Sequence, residues 1–165
     1  MSSAITFQNE TTTGLCVACG IPLDSQYFDV SNVQDAPGPG EELLLARFDL
    51  PAQYCGVLQY FSQFTDRFGK DCSQVQTPDL EWRILVNNHA LFPYFALKHI
   101  VNPWGYGGFP VNIRLDEDST LEFVVRRVVG GGPIPEDELV NVVGGRIVGR
   151  FWYNAAYGDV VSRRT

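Results

Sequence analysis

At 165 residues the chain has the size of one domain, and its 45% hydrophobic and 13% aromatic content fits a buried core and not a disordered chain. A formal net charge of −7 argues against nucleic acid as a partner. Phosphates need clustered Lys and Arg, and the only adjacent basic pairs are Arg126-Arg127 and Arg163-Arg164. No apolar run approaches the ~20 residues of a membrane-spanning helix. The opening MSSAITFQNETTTG lacks the basic and apolar regions of a signal peptide. The expected location is therefore a cytoplasm, where the four cysteines are reduced thiols.

Residues 1–14 are polar and read as an arm without a core of its own, followed by one domain over 15–157 and a tail over 158–165. Leu15–Leu23 is short and apolar, broken by Gly20 and Pro22. Asn32–Glu42 contains Pro37-Gly38-Pro39-Gly40 and reads as a surface loop. Glu42–Leu50 is a strand ended by Pro51. Tyr54–Phe64 is a second strand, with a helix through Gln59–Phe68 as the alternative. Asp66–Pro78 is polar and reads as a loop. Leu80–Asn87 is a strand with Trp82, Ile84 and Val86 on one face, and Asn87-Asn88 is a turn dipeptide because Asn tolerates a left-handed backbone. Ala90–Leu97 is the return strand, and Pro93 places it at an edge or a bulge.

Asn102–Gly108 is an aromatic, glycine-rich loop. From Pro110 to Arg127 the apolar residues alternate twice. Val111, Ile113 and Leu115 come first, then Asp116-Glu117-Asp118-Ser119, then Leu121, Phe123 and Val125. Period-2 patterning on both sides of a short acidic break reads as a β-hairpin with one buried face. Gly130–Glu138 is a glycine-rich, acidic excursion, and Arg146–Asn154 is the last strand. Seven or eight short strands predict an all-β fold: an antiparallel β-sandwich of the jelly-roll kind with an extended N-terminal arm. Trp82, Ile84, Val86, Ile113, Leu121, Phe123 and Phe151 are its expected core.

Cys16-Val17-Ala18-Cys19-Gly20 has the shape of a zinc knuckle, but Cys55 and Cys72 do not form the second pair that a four-thiolate site needs. The alternative is two small apolar residues near a strand. His89 and His99 are the only histidines, too few for a cupin-type metal site. Asp116, Glu117 and Asp118 lack the spacing of a calcium loop. Gly144-Gly145-Arg146 matches no phosphate loop, and no Ser–His–Asp set is placed. The expectation is a non-enzyme without cofactor or metal. Phe92, Tyr94, Trp104, Tyr106 and Phe109, with Phe95, make the most aromatic region. Rings on a rigid sheet suit sugar stacking or a protein interface, and Trp104 folding back to close the barrel end is the structural alternative.

Leu80–Asn88, Pro93-Tyr94, Ile100–Gly105 and Gly144–Asn154 together resemble small structural proteins encoded among tailed-bacteriophage head genes. The resemblance spans about residues 45–157. It implies a virion protein made in the host cytoplasm, most simply a capsid decoration or cement protein, with a head–tail fitting as the other position. The implied partners are the major capsid protein and further copies of the chain, a trimer being one arrangement, with no nucleic acid and no membrane. The arm and the loops Asn32–Glu42 and Gly130–Glu138 are the expected tethers. A carbohydrate-binding module of a phage spike or head fibre is the alternative.

Overall fold

A computed structural model of the chain describes residue 21 and residues 25–66, 79–97, 109–129 and 139–153. These form eight strands and no helix: β1 Gln26–Asp35, β2 Glu42–Asp49, β3 Tyr54–Thr65, β4 Leu80–Val86, β5 His89–Ala90, β6 Phe109–Leu115, β7 Thr120–Arg127 and β8 Val142–Tyr153. Two antiparallel four-stranded sheets result, in the orders β1-β8-β3-β6 and β2-β7-β4-β5. The helix alternative fails over Gln59–Thr65, which lies within β3.

The pairing has a simple generator. β1 pairs with β8, β2 with β7, β3 with β6 and β4 with β5. That is one long antiparallel ribbon, β1 to β4 in one arm and β5 to β8 in the other, with its tip at Asn87-Asn88. Rolling the ribbon sends successive pairs to opposite sheets and brings β8 beside β3 and β7 beside β4. The tip is a two-residue hairpin: Asn87 and Asn88 have φ of 52° and 64°, the left-handed pair that a type I′ turn requires.

This roll corrects the hairpin expected over Pro110–Arg127. β6 and β7 lie in different sheets and do not pair. Asp116–Ser119 carries the chain across the ~10 Å between the two sheets. The Leu50 N–H donates to Ser119 O at 2.9 Å and the Thr120 N–H to Asn87 Oδ1 at 2.8 Å, which ties the crossing to its neighbours. Both alternations were nevertheless real. Leu115, Leu121, Phe123 and Val125 are fully buried.

A second correction concerns β1, which is absent from the expected strands. Its last four residues fall in the loop expected over Asn32–Glu42. β1 is an edge strand, so Phe28 and Val30 are its only apolar residues packed on the core, and little periodicity betrays it. The return strand after the tip is likewise shorter than expected. β5 holds two residues, at the sheet edge as Pro93 implied. The chain then bulges out at Phe92-Pro93. Leu91 N–H donates to Ile84 O at 3.0 Å, and Ile84 N–H donates to Tyr94 O at 2.9 Å.

Trp82, Ile84, Leu121 and Phe123 are fully buried, and Val86, Ile113 and Phe151 pack partly buried against them. Phe61 bridges the sheets, its ring 5.6 Å from Phe123 and 5.4 Å from Phe109. At the other end Phe28 stacks on Phe48 with ring centroids 4.1 Å apart. Such close aromatic packing needs space, and β8 supplies it. A Cβ on Gly145 would lie 2.6 Å from the Phe123 ring, and a Cβ on Gly149 would collide with Phe28. The Gly144-Gly145 pair is therefore a packing device in a strand.

Candidate functional site

The expected interface residues divide into three groups. Phe92 is 85% exposed and stacks with Phe95, ring centroids 6.0 Å apart. Both sit on the bulge beside β5, where Pro93 cannot donate to the ladder and the chain swings outward. Tyr94 and Phe109 point the other way. Both are half-buried against Phe61, Tyr94 edge-on at 5.9 Å. They pack on the core beside Phe61; the barrel-end reading concerns Trp104. Trp104 and Tyr106 lie outside the described residues.

The other sequence candidates are placed as follows. Cys16, Cys19, Cys72 and His99 lie outside the described residues, as do the arm, the tail and Gly130–Glu138. Cys55 is a free thiol in β3, and burial pushes its pKa upward, which holds it in the unreactive protonated form. His89 is exposed at the ribbon tip. In the acidic crossing, Asp116 accepts from Arg114 Nε at 3.2 Å and Glu117 accepts the Gln53 N–H at 3.2 Å. Those carboxylates hold the chain's own groups. Among the described residues no three His, Cys, Asp or Glu are grouped to hold a metal ion.

The two outer sheet faces differ in chemistry. In β7, Leu121, Phe123 and Val125 face the core, so Thr120, Glu122, Val124 and Arg126 face outward. The outer face of the β2-β7-β4-β5 sheet is covered by ion pairs. Arg126 donates to Glu81 through Nε and Nη2 at 2.9 and 2.6 Å. Arg47 reaches Glu122 at 3.4 Å and Asp49 at 3.0 Å, and Arg83 reaches Glu42 at 3.5 Å. Val124 is buried although it faces out, with Leu44 of β2 and Arg83 of β4 as its register partners, and Leu44 itself is exposed. Arg127, the neighbour of Arg126, pairs with Asp79 at 3.0 Å, so the Arg126-Arg127 pair is neutralised within the fold.

The β1-β8-β3-β6 sheet presents the opposite surface. Val143 and Ile147 face the core, so Val142, Arg146, Val148, Arg150 and Trp152 of β8 face out. Register places Tyr27 and Val33 of β1 and Tyr60 and Phe64 of β3 on the same side, all exposed. One ion pair crosses it, Arg146 to Asp29, through Nε at 2.8 Å and Nη2 at 2.5 Å. The Arg146 guanidinium holds the Asp29 carboxyl below its usual range, chiefly by that hydrogen bond. Arg150 and its register partner Val57 are the buried side chains on this face among the described residues. For Arg150 the arrangement is unusual. It is only 7% exposed, its guanidinium lies over the Tyr27 ring at 4.1 Å, and its Nε has no hydrogen-bond partner among the described residues.

Comparison of the chain with protein-family models, with curated proteins and with solved structures finds no match. Among the described residues no helix is long and apolar enough to cross a membrane.

The sequence reading found Phe92 through its aromatic neighbourhood. It missed the outer face of the β1-β8-β3-β6 sheet. That face is assembled from Tyr27, Tyr60, Phe64, Val148 and Arg150, which come from three distant segments. Alternation along a strand signals two faces but not which strands lie side by side.

Proposed function

We propose that the chain is a structural protein of a tailed-phage virion, a jelly-roll decoration protein that binds the major capsid protein lattice. The observation that carries the reading is the rolled ribbon, whose 1·8, 2·7, 3·6 and 4·5 pairing supports a jelly-roll reading, the jelly roll being an architecture of viral capsid domains. A fold alone does not assign a role. Two further features support this one. Phe92 and Phe95 offer an exposed apolar anchor on an edge bulge, and an aromatic sheet face lies ready for a subunit contact. The segments resembling phage head proteins include β4 and most of β8, two of the strands that build the core. Cryo-electron microscopy of the parent particle is the test. Copies of the chain at symmetric positions on the shell, touching the major capsid protein, are the expected result. Particles that lack the chain overturn the proposal.

One observation favours the second reading, a carbohydrate-binding module. The Phe92–Phe95 pair is stacked and open to solvent, as a sugar-stacking platform would be. That reading expects saturable binding on a glycan array that is lost in Phe92→Ala.

A further inference from the structure

β1 forms ten consecutive pairs with β8 without a bulge, yet it is the edge of its sheet. Long, regular edge strands invite another strand unless something blunts them. β1 contains no proline and no lysine. Ala36 N–H donates to Asn141 O, which continues the β1–β8 register with the even-numbered residues bonded to β8. By the alternation of an antiparallel ladder, Tyr27, Asp29, Ser31, Val33 and Asp35 turn their N–H and C=O groups toward the edge that no other described strand pairs with. Of those donors, Val33 N–H is met locally by Asn32 Oδ1 at 2.9 Å. Asn32 is exposed, and a rotamer change frees that N–H.

The side chains of these same five residues stand on the outer face, beside the Arg150 guanidinium that stacks on Tyr27. Arg150 pairs with no carboxylate among the described residues, although it is more than nine-tenths buried. A cation held this way is set to receive a carboxylate from outside the fold.

We propose that β1 pairs antiparallel with β1 of a second copy across a two-fold axis at Ser31, which brings Asp35 of that copy to Tyr27 and Arg150. Centring the dyad on Asp29 or on Asn32 sets Asp29 against Asp29 or Asp35. Centring it on Ser31 pairs Tyr27 with Asp35 and Asp29 with Val33, with no like charges opposed. Dyads on Phe28, Val30 or Val33 also oppose no like charges, but only a dyad on Ser31 both overlaps most of β1 and sets a carboxylate opposite Tyr27. The Ser31 dyad joins edge-facing residues only to edge-facing residues, as the hydrogen bonds require. Adjacent strands lie about 4.8 Å apart, so the second copy's Asp35 stands next to Tyr27 on the side away from Arg150. The guanidinium over the Tyr27 ring is then within side-chain reach of its carboxylate. The contact is isologous, the commonest closed symmetry, and it makes one continuous eight-stranded sheet. This inference does not depend on the virion reading, and either can fail alone.

Sedimentation velocity of the full chain over a concentration series tests it, with Asp35→Lys and Ser31→Pro as variants. Ser31→Pro removes an edge-facing N–H and leaves the β1–β8 ladder bonded. Wild type is expected to interconvert between monomer and dimer. Each variant is expected to weaken the dimer by at least about tenfold, with the thermal melt and circular dichroism of the monomer retained. A wild type that is monomeric throughout overturns the proposal. So does association that either folded variant leaves unchanged. Should Ser31→Pro fail to fold, Asp35→Lys alone decides, because Asp35 is exposed at the strand end.

Discussion

The outer faces of the two sheets lie on opposite sides of one shared core and solve the problem of covering a β-strand differently. On the β2-β7-β4-β5 sheet, every exposed charge sits opposite its complement, and the apolar Val124 is buried with Leu44 and Arg83 as its register partners. On the β1-β8-β3-β6 sheet, aromatic and aliphatic groups face water, and a stacked arginine has no carboxylate partner among the described residues. Since the two faces share a fold and a backbone geometry, strand chemistry alone makes the difference. A face dominated by ion pairs, with Leu44 as its exposed apolar residue, contributes mainly to solubility and register, whereas a mostly apolar face with a stacked cation suits a contact.

The largest expected effect tests the premise that the faces share one core. Phe123 touches both layers through Phe61 and Gly145. Phe123→Ala should cost about 3–5 kcal/mol in urea unfolding, and both sheets should unfold in one transition. Two separable transitions would break the comparison at its base. Next in size is Glu81→Ala on the ion-paired face. The Glu81 carboxylate is buried and holds Arg126 through two hydrogen bonds. Its loss should cost about 1–3 kcal/mol, read from the same urea midpoints.

On the aromatic face the contrast sharpens. Val33→Thr keeps a β-branched residue at an exposed edge position and should change monomer stability by less than about 0.5 kcal/mol. Binding of a hydrophobic dye to that face should fall measurably.

The smallest effect belongs to Asp29. Its pKa is lowered by the Arg146 hydrogen bond. A depressed carboxyl contributes stability that is fully present above its unfolded pKa, near 3.8, and is lost as pH falls through the lower folded value. Asp29→Asn should therefore be less stable than wild type at neutral pH, by under about 1 kcal/mol for so exposed a pair. The difference should close below about pH 4. Melting temperatures from pH 7 down to pH 3 check both.

Much of this architecture was legible in the residues. β3, β4, β7 and β8 announce themselves because central strands bury one face and alternate accordingly, and β2, an edge strand, does so through Leu43, Leu45 and Phe48, which pack on the core. Asn87-Asn88 is read directly, since few other residues take two left-handed positions in succession. The break after Leu115 misled for a physical reason. A polar four-residue link serves a hairpin and a crossing between sheets equally well, and only the tertiary roll decides between them. β1 was hidden by its edge position, where burial demands little of its side chains. Of the site, Phe92 was visible through its aromatic neighbours. Arg150 was not, because its meaning depends on the ring of Tyr27, which is distant in the chain and next to it in the sheet.

Amide hydrogen exchange along β1, followed residue by residue at low and high protein concentration, tests most directly the claim that this sheet's outer face and edge form a contact while the opposite face belongs to solvent. The expected result is slowing on concentration at the edge-facing amides of Tyr27, Asp29, Ser31 and Asp35. Phe28, Val30 and Gln34, already bonded to β8, should be unchanged, as should the outer-face residues of β7. Exchange at the four edge amides that is fast and independent of concentration would contradict the account.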